Sequence, residues 1–519
     1  MAPGQQGCRT LATATRAAVA NMPHGIVKQG RAQLNLANGA LLRDRAFVGG
    51  KWVAAQSGQT LRVQDKATQQ LITEVPDLGE ADTQAAIAAA HGAFRGWAQQ
   101  TPKARHDLLL ALYAKLVENA EDLAKIIVAE NGKSLGDAEG EVSYGSAFIQ
   151  WFAEEALRTD GYTPAALMPG VQNVVVREPV GVAALIAPWN FPLAMITRKL
   201  GPALAAGCTA VVKTSHEAPL SALALAALAE EAGIPAGVVN VLISARGENE
   251  SAMGRALCES PRVQKISFTG STRVGKLLMG QSASTLKKLS MELGGNAPFI
   301  VFHDADLDRA VEGAIACKYR GSGQTCVCAN RIFVHESVYD EFATKLAAQV
   351  RGFRVGHGLQ EGVNIGPLAN EAGVRKVEDH VRAAQDHGGK VLVGGTPGEG
   401  FFYEPTVIAA PPDTPMPTDS EETFGPVAVL YPFRTEEDVL RRANDVDVGL
   451  AGYFYSQDVS RCFRVARALH VGMVGINTGM ISQTTIPFGG VLESGFGREG
   501  AHVGLLEYMN EKAMVFGGV

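Results

Sequence analysis

GVAALIAPWNFP, residues 181–192, is the stretch on which the fold turns. Its six small or branched apolar residues, 182–187, are too few for a helix and lack the alternation of a half-exposed strand. They predict a short strand buried on both faces. Prolines at 188 and 192 end that strand and open a helical pattern over 192–206. The alternation then recurs, with strands predicted over 182–187, 210–213, 238–242 and 263–268 and helices over 192–206, 219–232 and 251–259. Short buried strands separated by helices imply a parallel sheet covered on both faces.

A second β/α alternation follows residue 289, with strands at 299–302 and 331–335 and helices at 307–319 and 339–350, which gives a second α/β domain. Upstream, the text from Glu80 to Asn131 is helical. Thr101 before Pro102 reads as an N-cap, and Asn131-Gly132 as a C-cap. The body starts with a strand and turn at 47–52, the proline-rich 411–417 reads as a loop, and no internal repeat is present.

The chain has 519 residues, too many for one core, so two or three domains are expected. Its 46% hydrophobic and 19% charged residues exclude wholesale disorder. A net charge of −6 without long single-sign runs argues against a nucleic-acid binder. The most apolar segments are broken by Lys199, Lys213 or Glu230, so no membrane span is expected. Seven cysteines, an odd and sparse count, point to a reducing compartment. No Asp or Glu precedes Asp44, whereas Arg9, Arg16, Lys28, Arg31 and Arg43 do. Residues 1–43 therefore read as an organellar transit segment, which would place the protein in the mitochondrial matrix. The alternative is a disordered basic extension on a cytoplasmic protein.

Parallel sheets of this kind bind nucleotides at the C-terminal ends of their strands, where helix N-termini offer free N–H groups. The usual G-x-G-x-x-G fingerprint does not open the first βα unit. Instead, the strand 265–268 runs into Thr269-Gly270-Ser271-Thr272-Arg273-Val274-Gly275-Lys276. Gly270 suits a tight turn, Ser271 or Thr272 a helix cap, and Gly275 close packing; alone, these fit ordinary turn chemistry equally well.

Three local features carry chemistry. Cys326, in Gly323-Gln324-Thr325-Cys326-Val327-Cys328, is a candidate nucleophile, although most cysteines in a reducing compartment are simply small buried hydrophobes. Two cysteines two residues apart also raise zinc, but the eleven histidines supply no ligand cluster, so no metal is expected. Glu292 ends a strand before Gly294-Gly295, where partial desolvation would tune a carboxylate for general-base work. Asn190, fixed between Pro188 and Pro192, can donate to an oxyanion.

Together, Pro188-Trp189-Asn190-Phe191, Phe268-Thr269-Gly270-Ser271, Glu292-Leu293-Gly294-Gly295, Gly323-Gln324-x-Cys326 and Glu422-x-Phe424-Gly425-Pro426 resemble, in order and spacing, the aldehyde dehydrogenase superfamily. The segments at 194–199, 325–330, 449–456 and 487–490 are similar to succinate-semialdehyde dehydrogenases in particular. The resemblance implies a Rossmann-type dinucleotide-binding domain over 44–160 and 180–292 and a catalytic domain over 293–490. It also implies a small β extension for oligomerisation at 161–179 and 505–519, with assembly as a dimer or tetramer.

The implied reaction is NAD(P)-dependent oxidation of succinate semialdehyde to succinate, a step of 4-aminobutyrate degradation, through a thiohemiacetal and a thioester on Cys326. Asn190 holds the oxyanion and Glu292 activates the hydrolytic water. Trp189, Lys213, His216, Gly270, Ser271, Gly275, Glu422 and Phe424 match cofactor-binding positions, and Arg198, Arg320 and Ser482 match contacts to the substrate carboxylate. NAD-preferring relatives carry Glu where this chain has His216, so NAD and NADP both stay open. Cys328 matches a cysteine that some relatives oxidise as an off-switch; a packed bystander thiol is the alternative. Other readings are a dehydrogenase of glutarate semialdehyde, a CoA-acylating enzyme, against which Glu292 argues, or a nucleotide-independent cysteine esterase.

Overall fold

The computed structural model describes residues 34–412 and 414–519. The basic leader proposed over 1–43 lies, up to residue 33, outside the described residues. A hairpin of β1 (Ala46–Val48) and β2 (Lys51–Val53) comes first, with Phe47 opposite Trp52, followed by a second hairpin of β3 (Thr60–Gln64) and β4 (Leu71–Pro76). The helical text resolves into α1 (Glu80–Ala98), α2 (Pro102–Glu118) and α3 (Ala120–Asn131). Thr101 caps α2 by accepting from the Ala104 N–H, and Gly132 closes α3 with φ +95°.

A fourth helix, α4 (Leu135–Ala156), was not legible in the sequence. Gly136, Gly140 and Gly145 dilute its pattern, since glycine is a poor helix former. Gly145 has a structural reason: a Cβ there would stand 3.2 Å from the Ala194 Cα, so the glycine lets α4 lie against α5 (Ala194–Ala206).

After β5 (Val171–Pro179) come β6 (Val182–Ile186), α5, β7 (Thr209–Lys213), α6 (Leu220–Glu231), β8 (Val239–Leu242), α7 (Glu248–Glu259), β9 (Val263–Thr269), α8 (Thr272–Ser282) and β10 (Lys288–Glu292). The strands β8-β7-β6-β9-β10 pair in parallel in that order, with β1 and β2 antiparallel at one edge. Every residue of β6, β7 and β8 is buried, as the unbroken apolar text required. Alternate residues serve opposite faces: Ala183 and Leu185 pack with α5 and α6, and Val182, Ala184 and Ile186 with α1 and α7.

The second sheet is built from β11 (Ala297–Val301), β12 (Ala329–His335), β13 (Lys390–Val393), β14 (Thr406–Ala409), β15 (Val427–Phe433), β17 (Ala451–Tyr455) and β18 (Met473–Ile476); the two-residue β16 (Val448–Gly449) pairs elsewhere. Its order is β13-β14-β15-β12-β11-β17-β18, parallel except for β13. Between its strands lie α9 (Leu307–Lys318), α10 (Tyr339–Arg351) and α11 (Glu371–Asp386). Beyond β19 (Val491–Leu492), the chain returns to the first sheet as β20 (Gly495–Phe496), antiparallel to β10. It ends as β21 (Met509–Gly517), which pairs along its whole length with β5.

The first sheet reverses its strand order between β6 and β9, the position at which sheets of this type open a crevice at their C-terminal edge. The turn after β6 carries Trp189 and Asn190, and the turn after β9 carries Gly270 and Ser271. Facing them are loops that enter the second sheet: 293–296 before β11, 319–328 before β12 and 420–426 before β15. Among the described residues no helix is long and apolar enough to cross a membrane.

Candidate active site

The Asn190 side chain donates from Nδ2 to the Gln324 carbonyl at 3.0 Å, which ties the turn after β6 to the loop that carries Cys326. Its Oδ1 accepts from the Phe191 N–H at 3.1 Å, leaving one Nδ2 proton free. Two glycines bring the remaining loops together. A Cβ at Gly295 would stand 2.6 Å from the Cys326 carbonyl oxygen. Gly323, at φ +74°, backs directly onto the Gly425 carbonyl. Side chains at these two positions would wedge the cysteine loop away from the Glu292 and Phe424 loops.

Cys326 is partly exposed, and burial of its thiol pushes the pKa up to about 12; Arg198 pulls it down, while Glu422 and Glu292 push it further up. Glu292 ends β10 with both carboxylate oxygens buried and without a hydrogen-bond partner. Burial and the nearby Glu499 hold its pKa well above the usual carboxylate range, against the pull of Arg198, Lys199 and Arg498. An unanchored carboxylate of raised pKa beside a thiol has the character of a general base.

The substrate positions part company. Arg320 and Ser482 line one pocket with Thr325, Val327, Met480 and Ile481. The Arg320 guanidinium lies 5.2 Å over the Phe191 ring and has no ion pair among the described residues. Arg198 is different: its Nε is paired with Glu499, and the guanidinium sits over Phe488 at 4.4 Å, almost wholly buried. The sequence offered no partner for Arg198 because Glu499 lies 301 residues away.

At the nucleotide crevice, Ser271 accepts from the Val274 N–H and caps α8, and a Cβ at Gly275 would stand 2.5 Å from Leu293 Cδ2. Gly270 needs correction. Its φ is not positive, so the turn does not require glycine; a Cβ there would strike the Phe268 ring. Phe424 adopts φ +57°, a strained conformation for a non-glycine residue, and meets Trp189 edge-on at 5.6 Å. Burial pushes Glu422 up to about 7, against the pull of Lys376 and the hydrogen bond from the Gly295 N–H.

Lys213, at the end of β7, is paired with Glu250 of α7 at 2.5 Å. His216 places Nδ1 4.0 Å from the same carboxylate oxygen. Glu217 is drawn away, bonded to Lys66 at 2.5 Å and to Asn370 at 2.8 Å. Despite its burial, the bonds from His216 and Lys66 hold Glu217 down at about 2. A capped helix N-terminus, a strand-end lysine and an aromatic residue held beside a buried carboxylate fit a nicotinamide dinucleotide.

Sequence reasoning missed several groups here. Lys199 is wholly buried and paired with Glu499 and with Ser267. The Tyr144 hydroxyl is buried without a partner, near Arg198 and Arg320. Lys133 and Glu141 form a fully buried pair behind the Asn190 turn. The C-cap before Lys133 was visible; nothing in its pattern marked the lysine as buried. The six described cysteines are free, and the buried Cys328 thiol donates to the Lys318 carbonyl at 3.1 Å. No metal-ligating cluster occurs among the described residues.

Two α/β sheets, the first with a nucleotide-type crevice, facing each other across a cysteine, a carboxylate and an amide fit the class of dinucleotide-dependent oxidoreductases. The aldehyde dehydrogenase family model matches residues 52–514, and the chain belongs to that family of oxidoreductases. It is 50% identical over 479 residues to glutarate-semialdehyde dehydrogenase of Pseudomonas putida, covering 92% of this chain and 99% of that one. It is 51% identical over 473 residues to succinate-semialdehyde dehydrogenase [NADP(+)] 1 of Schizosaccharomyces pombe, covering 91% and 94%. The crystal structure of succinate-semialdehyde dehydrogenase from Burkholderia pseudomallei superposes with a TM-score of 0.91 at 51% identity, covering 93% and 100%.

Proposed function

We propose that the protein oxidises succinate semialdehyde to succinate with NAD(P), a step of 4-aminobutyrate degradation. The observation that carries the reading is the pocket in which Arg320, free of any ion pair among the described residues, and Ser482 stand together, with Thr325 and Val327, the chain neighbours of Cys326, in its lining. Guanidinium and hydroxyl suit the far carboxylate of a four-carbon semialdehyde. Glutarate semialdehyde is the second reading, favoured by the Pseudomonas putida relative.

Cys326 gives up its thiol proton to solvent, its thiolate attacks the aldehyde carbon, and the oxyanion accepts from the free Asn190 Nδ2 proton and a backbone N–H near Cys326. A nicotinamide nucleotide held by Lys213, Ser271, Glu422 and Phe424 would supply the acceptor for the hydride lost from this carbon. Cys326 then carries a thioester. Glu292 removes a proton from the attacking water, the acid departs and the thiol is restored. Lys213 and Ser271 are suited to the ribose and pyrophosphate, with Gly270 and Gly275 shaping that turn; Glu422, Phe424 and Trp189 are suited to the nicotinamide end. His216 in place of a carboxylate favours acceptance of NADP, whereas Glu250 at Lys213 favours NAD, so both nucleotides are expected to serve.

The chain segments 44–160 with 180–292, and 293–490, act in this reading as nucleotide-binding and catalytic domains. The β5–β21 ribbon, with Val515 and Phe516 exposed, supports assembly into a dimer or tetramer. Steady-state rates with succinate semialdehyde, glutarate semialdehyde and butanal, each with NAD and NADP, test the function. A nicotinamide absorbance change that is fastest with succinate semialdehyde is expected. Ester turnover without any nucleotide-dependent oxidation would overturn it.

A further inference from the structure

An oxyanion donor is only as good as its aim, and Asn190 sits in a turn outside any helix or strand. What holds that turn comes from elsewhere. Lys133 Nζ donates to the Asn190 carbonyl at 2.8 Å and to Glu141 Oε2 at 2.5 Å. The other Glu141 oxygen accepts from the Leu193 N–H at 2.9 Å and the Ala194 N–H at 3.2 Å, the donors at the N-terminus of α5. Asn131 Nδ2 donates to the Trp189 carbonyl at 2.8 Å. The turn is thus gripped at 189, 190, 193 and 194 by residues 131–141.

The same pair reaches the substrate pocket. Lys133 Nζ stands 4.0 Å from the centre of the Phe191 ring, which is also 5.2 Å from the Arg320 guanidinium carbon. One turn earlier on α4, Asp137 Oδ2 accepts from the Gly321 N–H at 2.9 Å and fixes the loop that bears Arg320. Both ions are wholly removed from water, a costly placement that apolar side chains of similar size would avoid. Neither is needed to fill space.

We propose that Lys133 and Glu141 are positioning residues for the oxyanion donor: the pair locks the 189–194 turn so that the free Asn190 Nδ2 proton points at the substrate carbonyl attacked by Cys326. This rests on the reading of Asn190 as oxyanion donor. The test is the burst of p-nitrophenol released when p-nitrophenyl acetate acylates Cys326 without nucleotide, with nucleotide affinity measured separately by fluorescence. Asn190→Ala should slow acylation roughly 100-fold. Lys133→Met combined with Glu141→Leu, which removes both charges together and so avoids an unpaired buried ion, should slow it about 10- to 100-fold. That pair should leave NADP affinity unchanged and cost nothing further in an Asn190→Ala background. Lys133→Met combined with Glu141→Gln, whose amide oxygen can still accept from Leu193 and Ala194, should recover part of the rate lost in the apolar pair.

An apolar pair that acylates at the wild-type rate, or whose effect multiplies with Asn190→Ala, overturns the positioning role alone. Wild-type acylation by Asn190→Ala overturns the oxyanion reading, and the proposal with it.

Discussion

Replacing Arg320 by methionine separates the two arginines that the sequence could not tell apart. Arg320 lines the Ser482 pocket, and its guanidinium meets the Met480 sulfur at 3.9 Å. A charged hydrogen bond to a substrate carboxylate is worth about 1.5–3 kcal/mol. At 1.36 kcal/mol per decade, that is roughly 10- to 150-fold in kcat/KM. The assay is the ratio of kcat/KM for succinate semialdehyde to that for butanal, which has the same chain length and no carboxylate. Arg320→Met should lower that ratio by this factor and leave butanal turnover nearly intact. Arg198→Met should behave differently, because it removes one of the two cations paired with Glu499 in the interior; its loss should appear in thermal stability and with both aldehydes alike. An unchanged ratio in Arg320→Met, or equal losses on both substrates, would refute the carboxylate assignment.

Three further outcomes follow from the geometry. Glu250→Gln, which removes the carboxylate at Lys213, should shift nucleotide selectivity about tenfold toward NADP, and His216→Glu should move it the other way; equilibrium binding of each nucleotide reads the shift. The raised pKa of Glu292 means that it is protonated, and unable to accept from water, at low pH, so thioester hydrolysis should climb as pH rises through that pKa. Glu292→Gln should abolish this limb and slow hydrolysis roughly 10²- to 10⁴-fold, seen as an acyl-enzyme that accumulates in rapid quench. If Cys328 acts as a redox switch, Cys328→Ala should lose the part of peroxide inactivation that dithiothreitol reverses; equally reversible inactivation in the variant rules the switch out.

The fold was legible because its strands are buried on both faces and so appear as short apolar runs. α4 was hidden because three glycines dilute its pattern, of which Gly145 serves packing against α5. At the site, motif residues were legible as loops that punctuate the strand ends, since glycine and proline mark turns whatever the tertiary structure does. Their partners were not. Glu499 for Arg198, Glu250 for Lys213 and Lys133 for Asn190 are distant in sequence and lie on ordinary-looking text. A charge buried against a partner 301 residues away leaves no periodic trace, and its role is decided only when the chain closes. Gly270 was read as a turn residue because a glycine spared a side chain and one spared a strained φ look the same in sequence.

The directions of the three raised pKa values at the centre of the site explain how one cleft runs two opposed steps. Burial pushes up Cys326, Glu292 and Glu422 alike, and Glu422 and Glu292, when ionised, push Cys326 higher still. Arg198 pulls on Cys326 and, together with Lys199 and Arg498, on Glu292, while Glu499 is shared as partner by Arg198 and Lys199. Two anions at Cys326 and Glu292 are therefore disfavoured together. While the thiolate exists, Glu292 is driven toward its neutral form and does not compete for the incoming carbonyl. Once the sulfur is tied up in a thioester, its charge is gone, the Glu292 carboxylate ionises more readily, and the base appears at the step that needs it. The lack of any hydrogen bond on either Glu292 oxygen leaves that carboxyl free to turn toward the water when this happens.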